Sequence, residues 1–290
     1  MKIVTDCAAD MPVSELNSYE ITQAPLWIQF PDGEVNSADL PIDEFYDRLE
    51  AMYPAIPSTA QPSSGNFADI YRTLAKIDPQ ILSIHISSGL SGTINAANMG
   101  VDQAASQANI TVWDTFTLSG GERFQVLAAA LAIKAGWALD GILERLNKIR
   151  AQTEVMYTLE TLEYLARGGR IGRVQALAGA LLHIKPIIGV DHNDGKYNNI
   201  AKTRTVSRAL STITDHLHAI YGNTPLWATV LHGRFAMQAD ALVNELTNRL
   251  IIARMEILRI APVLGVHTGP GIVGAAVVPI QLFEDLLERH

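Results

Sequence analysis

The side chains best suited to chemistry in this chain lie in short runs of glycine, serine and threonine. One such run is ISSGLSGT (86–93), which follows a predicted strand and leads into a predicted helix. In open α/β sheets, ligands bind outside the carboxyl ends of strands, often at a helix N-terminus. Glycines such as Gly92 let the backbone approach closely, and Ser88, Ser91 and Thr93 offer hydroxyl groups. The run therefore predicts an anion-binding site, with a purely structural turn as the alternative.

The same run also approaches the pattern of a catalytic serine. Its segment Gly-Leu-Ser-Gly-Thr, centred on Ser91, has Thr93 where the G-x-S-x-G nucleophile elbow requires a final glycine. A serine-dependent acyl hydrolase or phosphotransferase that uses Ser91 with His267 is therefore an alternative function. No third residue can be assigned to orient the histidine, so binding is the preferred interpretation.

Two further runs contain groups that could hold an anion. PSTAQPS (57–63) is predicted as a loop that presents the hydroxyl groups of Ser58 and Thr59, or alternatively as the cap of the following helix. In LARGGRIGR (165–173), the paired glycines could aim the guanidinium fork of Arg170 at a carboxylate or phosphate. The alternative for this second run is a helix end with solvated arginines.

The run GVHTGPGIVG (265–274) places His267 in a predicted glycine-rich loop, where it could contact a ligand. The run also contains a literal G-x-G-x-x-G, but the dinucleotide interpretation is rejected. The following residues 275–279 are typical of a strand instead of a helix, and no acidic residue stands about 20 positions further on. A lone histidine is otherwise more often structural.

Metal and cofactor chemistry are not predicted. The eight histidines are scattered, and His216 and His218 do not share a helix face. The single cysteine, Cys7, excludes a disulfide within the chain and a cysteine metal cluster, and it is read as a bystander thiol. The sequence thus predicts no metal and no cofactor.

The composition favours a globular protein and narrows its partners. Hydrophobic residues make up 48% and charged residues 18%, so a substantial core can form. The net charge of -8, without a basic run, argues against nucleic acid as a partner. The N-terminus does not resemble a signal peptide, and Lys134 and Lys185 interrupt the longest apolar stretches. We therefore expect a cytoplasmic protein without a membrane span.

The elements that must position these runs alternate along the first half of the chain. Strand patterns are followed by helical patterns, which is typical of a parallel sheet covered by helices. The predicted strands are Lys2–Thr5, Ile81–Ser87 and Ile110–Asp114, and the predicted helices are Ile42–Met52, Asn66–Ile77, Thr93–Gln107, Glu122–Ala135 and Leu139–Gln152.

The pattern changes after about residue 155, where several strands follow one another without a helix between them. A helix is predicted over Tyr157–Arg167. The later predicted strands are Pro186–Asp191, Lys196–Lys202, Leu226–Gly233, Met255–Ile260 and Ile272–Val278, and the later helices are Val206–Tyr221 and Ala236–Leu250. The fold class is therefore α/β, with an N-terminal parallel-sheet domain (1–155) and a C-terminal mixed-sheet domain (156–290).

Taken in order, these segments resemble the DegV family of bacterial fatty-acid-binding proteins over essentially the whole chain. The resemblance rests on VTDCAADMP near the start, PSTAQPS, ISSGLSGT, WDTFTLSGG (113–121), LEYLARGGRIGR, LLHIKPIIGV (181–190) and GVHTGPG. The chain departs from the family pattern at Cys7 and Ala60, where serine is usual. Neither position is a main carboxylate contact in the family.

The resemblance implies two α/β domains with a long-chain fatty acid, such as palmitate, between them. It places the carboxylate contacts on Thr59, Ser91, Arg170 and His267. The secondary candidates are Ser58, Ser88, Gly92, Thr93 and Gly169. Apolar segments around Leu162–Leu165 and Leu177–Ile188 are expected to line the tail tunnel. In some family members a fatty acid kinase phosphorylates the bound carboxylate, so a kinase is an implied partner. A regulator that uses the fold only for protein contacts remains the third alternative.

Overall fold

A computed structural model describes residues 1–104, 108–174 and 184–287. In chain order its strands are β1 (Lys2–Asp6), β2 (Thr22–Ala24), β3 (Trp27–Phe30), β4 (Gly33–Asn36), β5 (Ser58–Ala60), β6 (Gln80–His85), β7 (Asn109–Asp114), β8 (Glu154–Leu159), β9 (Lys185–Val190), β10 (Tyr197–Thr203), β11 (Leu226–His232), β12 (Ile252–Arg259) and β13 (Ile272–Pro279).

The helices of the described residues separate many of these strands. They are α1 (Val13–Ser18), α2 (Ile42–Met52), α3 (Ser64–Ala75), α4 (Thr93–Ala104), α5 (Ser119–Lys134), α6 (Leu139–Gln152), α7 (Glu163–Arg167), α8 (Val206–Tyr221), α9 (Ala236–Arg249), α10 (Pro262–Thr268) and α11 (Glu284–Leu287).

The first sheet is parallel and has the order β2-β1-β6-β7, as the alternating pattern of the first half predicts. Helices α3 and α4 cover one of its faces through residues such as Phe67, Tyr71 and Ala97. The other face turns Ile3 and Leu82 toward α5. Helices on both faces are the usual arrangement for parallel strands, because such a sheet is buried on each side.

A small antiparallel sheet, β4-β3-β5, accompanies the parallel sheet. Its strand β5 lies inside the run that the sequence predicts as a loop, so that prediction is wrong for Ser58–Ala60. Pairing of Ile28 with Thr59 fixes the direction of the Thr59 side chain. Since alternate residues of a strand point to opposite faces, Ser58 and Thr59 point in opposite directions.

The third sheet is mixed, with the order β10-β9-β8-β13-β11-β12, which confirms the prediction for the second half. Helices α8 and α9 pack on its outer face around Val230 and Val277. Its inner face turns Val155, Tyr157 and Leu231 toward the same core that the parallel sheet shares.

The predicted helix Tyr157–Arg167 is wrong over its first half. Residues Glu154–Leu159 form the central strand β8, and only Glu163–Arg167 are helical. Most of β8 is buried, because helices cover the outer face and the shared core covers the inner face. A strand buried on both faces loses the polar alternation that would mark it as a strand.

Helix α5 lies between the parallel and the mixed sheet. Fourteen of its sixteen residues are buried, in keeping with its apolar run from Val126 to Ile133. At its start, Gly120 faces Ala276 of the mixed sheet and Gly121 faces Val155, where a Cβ atom would collide with those side chains. The helix therefore joins both sheets in one core.

A buried arginine ties this core together. The Arg123 guanidinium on α5 donates to Glu15 on α1, with an Nε–Oε2 distance of 2.8 Å, and to Glu256 on β12, with an Nη1–Oε2 distance of 2.6 Å. The Arg123 side chain is only 1% exposed. One guanidinium thus pairs with two carboxylates that are far apart in the sequence.

The described structure leaves two predictions from the sequence untested. The domain boundary near residue 155, between 1–155 and 156–290, stays a prediction. Residues 105–107 of the predicted helix Thr93–Gln107, and residues 177–183 of the expected tunnel lining, lie outside the described residues.

Replacing Arg123 by methionine is expected to destabilise the protein by about 3–5 kcal/mol, because the largely buried Glu15 would lose its partner and Glu256 would keep only Arg254. The matched control is Arg249→Met, which breaks the Arg249–Asp215 pair, whose side chains are 46% and 43% exposed. That control should change the free energy of unfolding by at most about 1 kcal/mol. Urea unfolding followed by circular dichroism measures both, and equal losses would contradict the assignment.

Candidate ligand-binding site

The four residues singled out as carboxylate contacts line one cavity, here called the head cavity. Its empty space is about 510 Å³. The lining residues in the described chain are Ala8, Leu26, Thr59, Ala60, Gln61, Ile86, Leu90, Ser91, Arg170, Tyr197, Val263, Leu264 and His267. The structure therefore brings together four side chains that are far apart in sequence. Their contact with a ligand stays a prediction.

Thr59 and His267 contact each other at this site. The distance between Thr59 Oγ1 and His267 Nε2 is 2.8 Å. Burial, together with the positive charge of Arg170, lowers the pKa of His267 to about 4. His267 is therefore a neutral imidazole at neutral pH, able to donate from one ring nitrogen and accept at the other.

The predicted loop around His267 is wrong, because His267 lies in the last turn of α10. This helix begins with Pro262, a residue suited to the first helical turn, and ends before Gly269. The φ angle of Gly269 is +71°, and its α-carbon faces the ring of Tyr164. A side chain at that position would be strained and would collide with the ring, so the glycine both ends the helix and allows this close packing.

Arg170 follows the short helix α7 and is half-buried. Its backbone N–H donates to Leu165 O at 3.0 Å, and its Nη1 donates to Gly168 O at 2.9 Å. The turn depends on Gly169, which has a φ of +70°. The described residues provide no carboxylate partner for Arg170, so its positive charge is available to an anion.

Ser91 stands at the N-terminus of α4. Its Oγ lies 2.8 Å from Thr93 Oγ1 and accepts a hydrogen bond from Thr93 N at 3.3 Å. Ser91 thus accepts a hydrogen bond from the first residue of α4 and also places a hydroxyl group at the cavity wall. The N-terminus of α4 adds a partial positive charge that favours an anion.

The secondary candidates divide into two groups. Ser58 is exposed and donates to Gln29, and Ser88 is exposed with its backbone N–H bonded to Asp114, so neither lines the head cavity. Thr93 is buried and holds Ser91, Gly92 lies against the Gln61 amide, and Gly169 lines an adjoining cleft.

Several lining residues of the head cavity were not predicted from the sequence. Gln61 belongs to the PSTAQPS run and carries a polar amide, which was a usable signal. Ala8, Ile86 and Leu264 gave no signal, because an apolar residue that lines a cavity looks like any other core residue in sequence.

A second cavity, here called the acyl cavity, adjoins the head cavity and shares Tyr197 and Leu264 with it. Its empty space is about 390 Å³. Most lining residues are apolar, and they are Leu118, Ser119, Val155, Met156, Tyr157, Tyr197, Leu231, Leu264, Thr268, Ile272, Gly274 and Ala275. Residues 162–165 and 184–188 are absent from this described lining. The head cavity supplies polar groups, and the neighbouring acyl cavity supplies a mostly apolar wall.

The geometry of a serine hydrolase is not formed by Ser91 and His267. The Ser91 hydroxyl bonds Thr93, whereas His267 Nε2 bonds Thr59, and His267 Nδ1 has no hydrogen-bond partner among the described residues. A nucleophile requires a base within hydrogen-bond reach, and the base requires an orienting group. Neither contact is present here.

A serine–histidine–aspartate chain does occur elsewhere, but inside the core. Ser83 Oγ lies 2.7 Å from His85 Nε2, and His85 Nδ1 lies 3.0 Å from Asp6 Oδ2. All three side chains are fully buried, and Tyr71 bonds Ser83 on its free side. Asp6 also accepts from the N–H groups of Ala8 and Ile86, which line the head cavity. This series of hydrogen bonds therefore fixes Asp6, and Asp6 holds Ala8 and Ile86 in place in the wall of the head cavity.

Cys7 and possible metal ligands add no further chemistry to the site. Cys7 is buried, and burial raises the pKa of its thiol. Within residues 1–104, 108–174 and 184–287, no group of three or more His, Cys, Asp or Glu side chains could hold a metal ion. In the same ranges, every helix is too short or too polar to cross a membrane.

The fold and the two cavities define an α/β protein in which a parallel and a mixed sheet surround a cavity with a polar head and an apolar extension. Residues 1–280 match the family model described as "Uncharacterised protein, DegV family". The chain belongs to the DegV family. A DegV domain-containing protein of Deinococcus radiodurans is 36% identical over 278 residues, which cover 96% of this chain and 95% of the relative.

Solved structures match almost the whole chain. A DegV family protein from Thermus thermophilus, described by its fatty acid binding, is 28% identical with a TM-score of 0.89, covering 96% of this chain and 99% of that one. DegV from Bacillus subtilis, described as a fatty acid binding protein, is 27% identical with a TM-score of 0.84, covering 96% and 98%.

Replacing His267 by asparagine is expected to remove one pH dependence of stability. The unfolded chain protonates this histidine near pH 6.5, whereas the folded protein keeps it neutral down to about pH 4. The unfolded state therefore binds more protons in this window, and the free energy of unfolding falls as pH drops through it. The full loss is roughly 3 kcal/mol, and above pH 6.5 the contribution is constant.

Urea unfolding of ligand-free wild type and His267→Asn, from about pH 4 to about pH 7.5, measures this difference. Asp10 acts with the opposite sign, because burial raises its pKa to about 7 and the folded state binds its proton more tightly. That contribution is common to both proteins and cancels in the difference. A difference that does not change with pH would show that His267 is not held neutral by its surroundings.

Proposed function

We propose that this chain binds a long-chain fatty acid, with the carboxylate in the head cavity and the hydrocarbon tail in the acyl cavity. The observation that carries the proposal is Arg170, a half-buried cation without a carboxylate partner among the described residues, in a cavity that shares lining residues with a mostly apolar one. The fatty acid binding described for the relatives from Thermus thermophilus and Bacillus subtilis supports it.

The polar groups of the head cavity can satisfy one carboxylate. Arg170 supplies charge-assisted hydrogen bonds, which contribute about 1.5–3 kcal/mol each, and Ser91 supplies a hydroxyl. If the proton of neutral His267 is on Nε2, the ring donates to Thr59, and the Thr59 hydroxyl is free to donate to the ligand. In this tautomer the histidine orients Thr59 without adding a second positive charge.

The acyl cavity supplies most of the affinity in this proposal. A saturated C16 tail buries on the order of 14 methylene groups at about 0.8 kcal/mol each, a gross gain of about 11 kcal/mol. Ordering the tail and the protein side chains reduces this gain. The head cavity therefore sets the orientation of the ligand, and the apolar cavity sets how tightly it is held.

The proposed role is that of a non-enzymatic cytoplasmic carrier without a cofactor. Arg170 also lines an open cleft with Gly89, Gly172 and Lys196, so the carboxyl end of the ligand would lie nearer the surface than the tail. This orientation suits a carrier for lipid transport or fatty acid metabolism that presents the carboxylate to an enzyme, such as a fatty acid kinase.

The double variant Thr59→Ala/Ser91→Ala is expected to bind palmitate about tenfold to a hundredfold more weakly than wild type, because two donors to the carboxylate are lost. The matched control is Ser58→Ala/Ser88→Ala, which removes two hydroxyl groups from the same runs outside the cavity and should leave affinity unchanged. Titration with a fluorescent fatty acid measures both, after circular dichroism has established that each variant is folded.

Two further readouts test the proposal itself. Mass spectrometry of an organic extract of the purified wild type should detect a long-chain fatty acid. Methyl palmitate should compete more weakly than palmitate by about 2–4 kcal/mol, since it leaves Arg170 unpaired. Acetate, which lacks the tail, should not compete measurably. Equal competition by palmitate and its methyl ester would show that no carboxylate site exists.

The purified protein is expected not to hydrolyse p-nitrophenyl esters above the background rate, because Ser91 and His267 do not form a nucleophile–base pair. The control is the Ser91→Ala variant, which should give the same background rate as wild type. Saturable turnover that Ser91→Ala abolishes would replace the binding proposal with the hydrolase alternative.

A further inference from the structure

The acyl cavity contains a hydroxyl group that the described protein leaves unsatisfied. Tyr157 is 5% exposed, and its hydroxyl has no hydrogen-bond partner among the described residues. Two other hydroxyl side chains of the cavity wall are bonded within the protein: Ser119 donates to Asp10, and Thr268 donates to Leu264 O. Since a buried donor without an acceptor is unfavourable, the Tyr157 hydroxyl is a position where a ligand oxygen would be stabilised.

Tyr197 places a second hydroxyl beside the first. The two rings are 5.8 Å apart in an edge-on arrangement with an interplanar angle of 77°. Burial raises the pKa of Tyr157 well above its usual value, and the neighbouring Tyr197 raises it further. Both phenols are therefore neutral groups that can donate and accept hydrogen bonds. They form a small polar site in a mostly apolar wall.

The backbone opposite Tyr157 leaves room for this ring. Tyr157 on β8 pairs with Gly274 on β13, and both residues line the acyl cavity. A side chain at Gly274 would collide with the Cβ of Tyr157 and with the carbonyl of Met156. The glycine therefore allows β8 and β13 to pack closely at this point, and Tyr157 is part of the lining of the acyl cavity.

The position of Tyr197 relates this polar site to the ends of the proposed ligand. Tyr197 lines both the head cavity and the acyl cavity. Burial raises its pKa to about 12, and the positive charge of Arg170 opposes this rise. The paired hydroxyl groups therefore lie where the two cavities meet. A ligand whose carboxylate contacts Arg170 would pass them with the first carbons of its chain, not with its methyl end.

We propose that the cavity recognises long-chain acids that carry an oxygen substituent close to the carboxyl end, as in a 3-hydroxy fatty acid, through the hydroxyl groups of Tyr157 and Tyr197. This inference rests on the proposed function, because the carboxylate must occupy the head cavity for the substituent to reach the two phenols. An unsubstituted acid still fits, but it leaves the Tyr157 hydroxyl unsatisfied.

The test compares palmitate, 3-hydroxypalmitate and 16-hydroxypalmitate in competition with a fluorescent fatty acid. Wild type is expected to bind 3-hydroxypalmitate at least as tightly as palmitate. Tyr157→Phe should lower the ratio of 3-hydroxypalmitate affinity to palmitate affinity about tenfold, because only the substituted ligand loses a hydrogen-bond partner. The affinity for 16-hydroxypalmitate should be the same in both proteins, since its hydroxyl is at the other end of the chain.

Tyr221→Phe is the matched control, because the Tyr221 hydroxyl donates to Gln152 O at 2.8 Å and lies outside the cavity lining. It should lower the urea midpoint and leave the ligand ratios unchanged, whereas Tyr157→Phe should leave the midpoint unchanged or raise it. Tyr197→Phe tests the second phenol and should also weaken 3-hydroxypalmitate selectively.

The outcomes separate the two proposals. If wild type binds palmitate but binds 3-hydroxypalmitate about tenfold more weakly, or if Tyr157→Phe weakens both ligands equally, the inference about the substituent is wrong and fatty acid binding stands. If neither ligand binds, the proposed function fails, and this inference fails with it.

Discussion

The arrangement of this protein depends on helix α5, which has almost no surface in contact with water. A helix that is buried almost all round must be covered by protein on every side, so the two large sheets pack against it from different directions. Its polar residues need internal partners for the same reason. Arg123 pairs with Glu15 and Glu256, and the Gln125 amide accepts from Trp113 Nε1 at 2.7 Å. Burial of this one helix therefore fixes both the distance between the sheets and the polar contacts at its ends.

The N-terminal end of α5 connects that core to the head cavity. Asp10, near the end of β1, accepts from the Ser119 hydroxyl at the start of α5 and from the Ala261 N–H just before α10. Helix α10 then presents His267 and Leu264 to the cavity. Asp6, a few residues earlier, binds the backbone of Ala8 and Ile86, which form another part of the wall. Buried carboxylates thus place the cavity lining, because each must collect donors from several segments before burial becomes tolerable.

Sequence reasoning predicted the long elements well and the short ones poorly. Helix α8 has the predicted bounds, Val206–Tyr221, because its apolar residues recur with the helical period over sixteen residues. Strand β5 has only three residues, and pairing with β3 stabilises it, which no local pattern reveals. The run around His267 contains enough glycine to favour a loop, although the proline and glycine stand where a short helix begins and ends. Four residues of the head cavity were named from their motifs, whereas its apolar wall and Tyr197 depend on distant contacts.

Charge explains why these groups suit a carboxylate. His267 stays neutral at neutral pH because its site is buried and Arg170 is close, so Arg170 is the one formal charge among the lining residues of the head cavity in the described chain. A second cation beside it would repel the first and would require a dianion to balance both. With one guanidinium, two hydroxyl groups and the N-terminus of α4, the cavity matches a single negative charge with several donors. In the proposed binding mode the neutral histidine is an orienting group, since it bonds Thr59, and Arg170 alone would balance the charge of the carboxylate.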